Sequence, residues 1–278
     1  MSEYKQPMNL NGSYLNTNGN IKFFISKKIL AVLLMIFSSL VSLAWGPTGH
    51  RVTGLIAEQH LSKKVKKELT RILGNQSLAM ASTWMDEIRS DSTYDYTSDW
   101  HWVTIPEGST YQQSEKNKNG DLIETIERLK SALKSKSLTA DKEREYLKMI
   151  IHLVGDLHQP LHVGGGNDRG GNDIKVTWFR AQSNLHRVWD SDMIDDTRLS
   201  YTELASSLEI PDAATILSWQ KSDIYTWAAE SMEYREQVYR YGRGNLGYKY
   251  AYENFHIVRH RLLQAGIRLA GILNDIYG

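Results

Sequence analysis

The sequence contains no cysteine. This absence excludes a disulfide-stapled scaffold and any metal site that depends on thiolate ligands. Neither sign of charge is in excess, because 33 Lys and Arg residues stand against 32 Asp and Glu residues. The chain therefore has no basic excess that would attract nucleic acid over long distances. With 41% hydrophobic residues in a chain of 278, an intrinsically disordered protein is excluded and a substantial core is possible.

Near the N-terminus, the chain lacks an apolar run long enough to cross a bilayer. The run 29–37 has nine apolar residues, whereas a transmembrane helix needs about 20. It follows three lysines (Lys22, Lys27 and Lys28) and is succeeded by small residues that end at Ala44. This pattern predicts a secretory signal peptide over residues 1–44, cleaved after Ala44, rather than a membrane anchor. We therefore expect an exported protein, located in the periplasm or the medium.

The remaining chain, residues 45–278, has 29 basic and 31 acidic residues and reads as one mainly α-helical domain. Apolar residues recur at three- and four-residue spacing, which predicts helices over 50–60, 62–73, 82–88, 122–133, 141–157, 216–241 and 248–276. Two short runs, 100–105 and 174–179, are typical of strands. The glycine-rich segment 164–172 between them leads into a strand instead of opening a helix, so it predicts a tight hairpin and not a phosphate-binding loop.

The candidate functional residues of this chain are histidines and aspartates. Seven of the nine histidines lie between positions 50 and 186. His152 and Asp156 are one helical turn apart, and His186 and Asp190 repeat that spacing. Pro160 should end the first of these helices and return the chain toward His162. Imidazole and carboxylate ligands without thiolate suit a catalytic zinc site, which keeps a coordination position open for water or substrate.

The other histidines are predicted to have roles other than metal ligation. His60 is expected at a helix end, and His256 with His260 are expected to be surface or core residues without a carboxylate partner. For His158, the surroundings favour a hydrogen-bonded role behind the ligands rather than ligation itself.

A set of short motifs, in order along the chain, resembles the type I nuclease family of zinc-dependent, single-strand-specific nucleases and 3′-nucleotidases. The motifs are WGPTGH (45–50), WMD (84–86) with Arg89, WH (100–101), HLVGDLHQPLH (152–162), GGND (170–173), HRVWD (186–190) and AGIRLA (265–270). The resemblance implies the mainly helical fold that this family shares with bacterial zinc phospholipases C, here with a minor β-hairpin. Since fungal and plant members carry disulfides, the lack of cysteine suggests a bacterial member.

The resemblance implies three zinc ions. One would be held by Asp86, His101, His152 and Asp156, its close partner by Asp156, His50 and the amino and carbonyl groups of Trp45, and a third by His162, His186 and Asp190. Trp45 has a free amino group only after cleavage behind Ala44. Export and activation would then be coupled. Three zinc ions would also replace the missing disulfides as cross-links.

The resemblance further implies in-line attack on phosphorus by a hydroxide held between the two close zinc ions, which leaves a 5′-phosphate on the product. Asp86 would orient the attacking group. Arg89 would brace the phosphoryl oxygens, its alternative being a plain salt bridge to Asp86 or Glu87. Expected substrates are single-stranded DNA and RNA and 3′-nucleotides, with no obligatory protein partner and no membrane anchor after cleavage.

Trp102 and Thr104 are the candidate base-contacting positions. Trp102 is at a place where the family contacts a base, although a half-buried strand residue would look the same in the sequence. Thr104 stands where fungal members have an acidic residue, so the base preference should differ from theirs. Two other functions share part of the pattern: a zinc phospholipase C and a non-catalytic exported zinc-binding module.

Overall fold

The computed structural model describes residues 45–278, so the predicted signal peptide over 1–44 lies outside the described residues. The described part is mostly helical, as predicted. Its α-helices are α1 (Pro47–Gln59), α2 (Lys63–Leu73), α3 (Leu78–Ala81), α4 (Trp84–Glu87), α5 (Leu122–Lys134), α6 (Ala140–Leu157), α7 (Leu185–Arg187), α8 (Met193–Asp195), α9 (Tyr201–Ser206), α10 (Ala213–Lys221), α11 (Ile224–Glu233), α12 (Arg235–Val238) and α13 (Tyr248–Tyr277). None of the helices in 45–278 is long and apolar enough to cross a membrane.

Three of the longer helices, α2, α5 and α6, begin where the sequence supplies a capping side chain. Ser62 accepts a hydrogen bond from the backbone of Val65 at the start of α2, and Thr139 accepts one from Lys142 at the start of α6. Asp121 accepts two at the start of α5. Each cap satisfies an amide that has no partner within its helix. This agreement between caps and apolar spacing explains why these three helices follow their sequence predictions closely.

The predicted helix over 216–241 is wrong as a single element. It consists of the end of α10, all of α11 and all of α12. Asp223 accepts a hydrogen bond from the backbone of Thr226 and thereby starts α11 anew. The apolar period continues across the break, so periodicity alone could not show it.

Five short strands form two sheets: β1 (Val103–Thr104), β2 (Val163–Gly164), β3 (Lys175–Trp178), β4 (Ala181–Asn184) and β5 (Asn245–Leu246). β1 pairs with β2 in parallel. β3 lies in the middle of the second sheet, antiparallel to β4 and parallel to β5. The β3–β4 pair is a hairpin whose two-residue turn is Phe179-Arg180, at a different place from the hairpin that the sequence predicts around 164–172.

Two predictions for the strand regions are wrong. The glycine-rich segment 164–172 does not close a hairpin, because β2 and β3 on its two sides belong to different sheets. Of the predicted strand 100–105 only β1 is a paired strand. His101 instead ends a 3-10 helix, Ser92–His101. Trp100 in that helix is buried and donates its indole N–H to the carbonyl of Asn119 at 2.9 Å, which anchors this turn.

The buried apolar side chains form two clusters. One surrounds α2, α5 and the second half of α6, and the other lies among α1, the hairpin and the first half of α13. Helix α13 contributes to both clusters along its 30 residues. The C-terminal end of α6 lies where the clusters meet, with Asp156 fully buried. That position brings carboxylates and imidazoles from distant segments within reach of one another.

Candidate metal centre

Three groups of buried His and Asp side chains have ligand atoms within 4.8 Å of one another. The groups are His50, His152 and Asp156; Asp86, His101 and His152; and His162, His186 and Asp190. The structure therefore brings together every histidine and aspartate that the sequence predicts as a ligand. Their supports are α1, α4, the 3-10 helix 92–101, the end of α6, the 3-10 helix Pro160–His162, α7 and the π-helical turn Val188–Asp192.

Asp156 is the centre of the first two groups. One carboxylate oxygen lies 3.2 Å from Nε2 of His50, and the other lies 3.0 Å from Nδ1 of His101 and 3.3 Å from Nε2 of His152. The rings of His50 and His152 are stacked, with 3.8 Å between their centroids. Asp86 is further away, at 3.9 Å from Nε2 of His152. A carboxylate with nitrogens on both of its oxygens is suited to bridge two cations.

The third group is built on a turn of unusual geometry. His186 lies in α7 and Asp190 in the π-helical segment that follows it, and their nitrogen and oxygen are 2.9 Å apart. His162 Nε2 lies 3.6 Å from the other oxygen of Asp190. Widened turns of this kind occur often at functional sites because they redirect a side chain without ending the helix.

Backbone carbonyls orient the histidine rings. Nδ1 of His152 donates to the carbonyl of Ser82 at 2.7 Å, and Nδ1 of His162 donates to that of His101 at 2.6 Å. Nδ1 of His186 donates to the carbonyl of Gly170 at 2.7 Å. In each ring Nδ1 thereby keeps its proton, so Nε2 is the nitrogen that faces the group. This arrangement is typical of metal-ligating histidines.

Two glycines make room for these rings. A Cβ at Gly155 would lie 2.9 Å from Nδ1 of His50. Gly170 has a φ of +62°, and a Cβ there would lie 2.3 Å from the carbonyl oxygen of Leu161. The glycine-rich segment 164–172 thus serves as a support for His186, a function that its sequence did not indicate.

Gln159 also belongs to the third group, and sequence reasoning missed it. Its side-chain oxygen accepts the backbone N–H of Leu161 at 2.5 Å, which turns its amide nitrogen toward Asp190. That nitrogen donates to a carboxylate oxygen of Asp190 at 2.5 Å. Gln159 lies within a quoted motif, but no spacing rule links it to a residue 31 positions later.

Burial and charge act in opposite directions on the site residues. Burial lowers the pKa of His50, and lowers that of His101 to about 4. For His152 burial is outweighed by the carboxylates of Asp156 and Asp86, so its pKa is raised. Burial would raise the pKa of Asp156, but the surrounding histidines hold it well below its usual range. Asp156 is therefore ionised, the form that binds a cation.

The third group shows the same competition. Burial opposes protonation of His162, yet the carboxylates of Asp156 and Asp190 raise its pKa to about 9. Burial alone would raise the pKa of Asp190. The imidazoles of His186 and His162 act more strongly in the opposite direction, so the pKa is lowered overall. Binding of a cation there would release the proton of His162, since a ligating Nε2 must be deprotonated.

The donor set fits zinc. Several buried ligand atoms in the described part of the chain have no hydrogen-bond partner, among them Nε2 of His50, both oxygens of Asp86, Nε2 of His162 and Oδ2 of Asp190. Unpaired buried polar atoms are costly unless a ligand or ion completes them. A set of imidazoles and carboxylates converging on one place matches the preference of zinc for nitrogen and oxygen donors.

Trp45 lies beside these groups. It is fully buried, and a Cβ at Gly155 would approach its ring at 3.8 Å as well as that of His50. The next residue, Gly46, donates its backbone N–H to the carbonyl of Asp190 at 2.7 Å. This position is next to the centre, while ligation through the backbone of Trp45 stays a prediction.

A cleft of about 340 Å³ lies beside the metal centre. Its lining includes His101, His162 and His186 together with Arg89, Trp102 and Thr104. Trp102 is 39% exposed, so its ring is available to a ligand in the cleft. Nε of Arg89 lies 3.7 Å from a carboxylate oxygen of Asp86, which is the salt bridge that the sequence offered as an alternative. Arg89 also lines the cleft, where it could contact a phosphoryl group.

His158, His60, His256 and His260 lie outside the three groups. His158 is fully buried and is held by hydrogen bonds to Val154 and Arg268. His60 is the C-terminal cap of α1, as its sequence context indicated.

The family model described as S1/P1 Nuclease matches residues 45–278 of the chain. Endonuclease 4 of Arabidopsis thaliana is 29% identical over 88% of this chain and 93% of its own. Endonuclease 5 of the same plant is 30% identical over 90% of this chain and 96% of its own. Among solved structures, the alpha toxin from Clostridium absonum is similar with a TM-score of 0.54 and 17% identity, over 85% of this chain and 67% of the toxin. That likeness extends to the fold.

Proposed function

Because the chain belongs to the S1/P1 nuclease family and is a hydrolase of nucleic acid, we propose that it cleaves single-stranded DNA and RNA with the help of three zinc ions. The proposed products carry a 5′-phosphate, and 3′-nucleotides are further substrates. The observation that carries the proposal is the set of three His and Asp groups. Three of their histidines line a cleft together with Arg89 and the exposed Trp102.

We assign eight side chains as zinc ligands. Asp156 would bridge a close pair, with His50 on one side and Asp86, His101 and His152 on the other. His162, His186 and Asp190 would hold the third ion, and the backbone of Trp45 would complete the close pair. When bound, zinc supplies Lewis-acid polarisation of the phosphoryl group and activation of water near neutral pH.

Arg89, which lines the cleft, and the neighbouring Asp86 would act on the substrate. Asp86 is 10% exposed at its side chain, so its carboxylate can accept a hydrogen bond from the attacking water and align it with phosphorus. Arg89, beside it, can donate two hydrogen bonds to non-bridging phosphoryl oxygens, a contact that strengthens as negative charge develops there. Both groups therefore favour the transition state over the bound substrate.

The lining of the cleft supports the proposed preference for single strands. Histidines of the centre and the exposed Trp102 line the same cleft, so a phosphate bound there would place a neighbouring base close to that ring. A base stacked on Trp102 would gain about 1–3 kcal/mol without being read for sequence. Thr104 offers one hydroxyl in place of a carboxylate, which makes contact with a base edge less selective.

Export of the protein is part of the proposal. The lysines, apolar run and small residues of 1–44 support cleavage after Ala44, and the need for a free amino group at Trp45 gives that cleavage a chemical reason. The N-terminal residue and the zinc content of the secreted protein, both measured by mass spectrometry, test this part. An uncleaved N-terminus or a single zinc per chain would contradict it.

The activity is tested by comparing hydrolysis of single-stranded DNA, RNA, 3′-AMP and phosphatidylcholine by the zinc-loaded protein. We expect cleavage of the first three, with 5′-phosphate on the oligonucleotide products. Hydrolysis of phosphatidylcholine alone would favour the phospholipase alternative. Zinc binding without hydrolysis of any of the four would favour a binding module.

A further inference from the structure

A second cavity, of about 590 Å³, lies at the outer end of the small sheet. It contains parts of the hairpin turn, the segment before β5 and the first turn of α13. The cations on its lining are Arg180, Arg240, Arg243 and Lys249. Arg240 is ion-paired with Glu236 and Lys249 lies 3.8 Å from Glu253, so Arg180 and Arg243 supply the surplus positive charge. Such a concentration of positive charge stands out on a chain whose residues 45–278 carry slightly more acidic than basic groups.

Exposed aromatic rings accompany these cations. Tyr248 is 82% exposed and Tyr252 is 89% exposed. They are one helical turn apart on α13, so their rings project from the same face. Phe179 of the hairpin turn meets Tyr248 edge to face, with 4.6 Å between the ring centroids. Tyrosines this exposed gain nothing from core packing, and so the fold itself does not require them.

The hairpin turn is built at a cost in backbone energy. Phe179 has a φ of +45° and Arg180 a φ of +75°. Two-residue hairpin turns need both angles positive and usually contain Asn-Gly or Asp-Gly. Residues with a Cβ, such as this phenylalanine and arginine, adopt that conformation only rarely. The result is an arginine held at the tip of the sheet, beside the exposed tyrosines.

The cations continue from this cavity to the cleft of the metal centre. Arg169 and Asn172 line the cleft, and Nζ of Lys175 donates to the carbonyl of Asn172 at 3.3 Å. A Cβ at Gly244, next to Arg243, would lie 3.4 Å from the carbonyl oxygen of Lys175. We call the exposed cations along this route the basic strip; they are Lys175, Arg243, Arg180 and Arg169, the last of which is ion-paired with Asp173 at 2.6 Å.

We propose that the basic strip, with Tyr248 and Tyr252, binds the part of a single-stranded nucleic acid that extends beyond the cleft. Cations along a track and aromatic platforms for bases are the combination by which proteins hold single strands without reading their sequence. The proposal rests on the proposed function, because it assigns the strip to the same substrate. It predicts that long single strands bind more tightly than short ones.

The test uses the zinc-loaded protein and a fluorescent phosphorothioate oligonucleotide of about 15 nucleotides, near the upper end of common single-strand site sizes. Its binding is measured by anisotropy at several salt concentrations, beside that of a dinucleotide. Arg180→Ser/Arg243→Ser should weaken binding of the oligonucleotide and leave the dinucleotide unchanged. If both arginines contact phosphates, the slope of log affinity against log salt should fall by about 1.4.

The tyrosines give an independent readout. Tyr248→Ala/Tyr252→Ala should weaken binding of the oligonucleotide at least about fivefold, without changing the salt slope, because stacking releases no counterions. The matched control is Lys66→Ser/Lys67→Ser, which removes two exposed cations from α2 on the other apolar cluster. Equal effects of the arginine and lysine pairs, or wild-type binding by the tyrosine variant, would overturn the proposal.

Cleavage separates this proposal from the preceding one. An unmodified oligonucleotide that binds through the strip but is not hydrolysed would contradict the proposed nuclease activity and leave the strip supported. Hydrolysis with an affinity that does not depend on Arg180 and Arg243 would support the nuclease and overturn the strip.

Discussion

Two clusters of buried polar side chains lie on either side of the turn after α6, and they differ in how their atoms are satisfied. One is the metal centre. The other, which we call the arginine cluster, comprises Arg261, Arg268, Glu230 and His158. Arg261 and Arg268 are 0% and 1% exposed, as deeply buried as Asp156. Depth of burial alone therefore does not distinguish a structural cluster from a functional one.

Donors and acceptors match within the arginine cluster. Arg268 donates to both oxygens of Glu230 at 2.6 and 2.7 Å, and to Nε2 of His158 at 3.0 Å. Arg261 donates to Glu230, to the carbonyl of His158 and to that of Trp227. Because His158 accepts at Nε2, it donates from Nδ1 to Val154 and stays neutral. Among the polar side-chain atoms of these four residues, only Nε of Arg268 lacks a partner.

The metal centre has the opposite balance. Its nitrogens and carboxylates point at one another, and many of them are unpaired in the described structure. An imidazole lone pair facing a carboxylate repels it, and only a shared proton or cation makes the contact favourable. The comparison shows that unpaired, converging acceptors identify a ligand site, whereas matched donors and acceptors identify a structural one. The predictions below test this difference.

The largest effect is expected from Asp156→Asn. The amide cannot bridge two cations, so we expect both close zinc ions to be lost and activity to fall by more than about 100-fold, the upper range for residues that only support ligands. Zinc per chain and initial rates measure the two effects. Asp196→Asn, an exposed aspartate, is the control. Near wild-type activity of Asp156→Asn would show that the assigned centre is wrong.

Removal of metal should be the next largest effect. Without a cation the buried ligand atoms have no partner, and this destabilises the folded state. A chelator should therefore lower the melting temperature by more than about 10 °C, at about 2–4 °C per kcal/mol for a domain of this size. Differential scanning calorimetry with and without chelator measures the shift. An unchanged melting temperature would mean that the converging ligands bind no structural metal.

Glu230→Gln should destabilise the protein without changing its zinc content. The variant leaves two buried arginines without their carboxylate, and breaking a buried pair costs about 3–5 kcal/mol; partial exposure of Glu230 places the expected value near the lower end. Chemical denaturation measures the loss, and zinc analysis should still find the wild-type amount. A loss of zinc in this variant would show that the two clusters are not separate.

The same carboxylate predicts a pH dependence. Burial raises the pKa of Glu230, but hydrogen bonds and charge from Arg268 and Arg261 outweigh it, so its pKa lies below the usual value. Its stabilising effect is therefore complete above the unfolded pKa of about 4.3 and is lost as the pH falls through the folded one. Denaturation of the chelator-treated protein should show a fall in stability at acid pH that is weaker in Glu230→Gln.

Gln159→Leu should give the smallest and most local effect. It removes the hydrogen bond that orients Asp190 but no ligand, so we expect about 10–100-fold weaker binding of one zinc ion out of the set. Competition with a chelator of known affinity measures it. The matched control is Gln264→Leu, another buried glutamine, which contacts Arg261 and Glu230 but no member of the three groups. Equal zinc affinity in both variants would remove the assigned role.

Sequence reasoning reached the fold class and all the grouped His and Asp residues, but not the parts that surround them. Helical spacing predicted the pairs His152–Asp156 and His186–Asp190 correctly, since each lies within about one turn. The same reasoning failed for the 216–241 helix, where Asp223 begins a new helix without interrupting the apolar period. It also failed for the glycine-rich segment, which connects β2 and β3, two strands that belong to different sheets.

By itself the sequence determined the types of ligand, the positions of the longer helices and the likeness to a nuclease family, because these depend on residue identity and local period. Tertiary structure alone decided that His50 and His101 meet Asp156, that Asp86 lies near His152, that Gln159 orients Asp190, and that Gly170 supports His186. The reason is physical. Local geometry limits distances only across a few residues, whereas closing segments 31 or 55 residues apart depends on how the two apolar clusters pack.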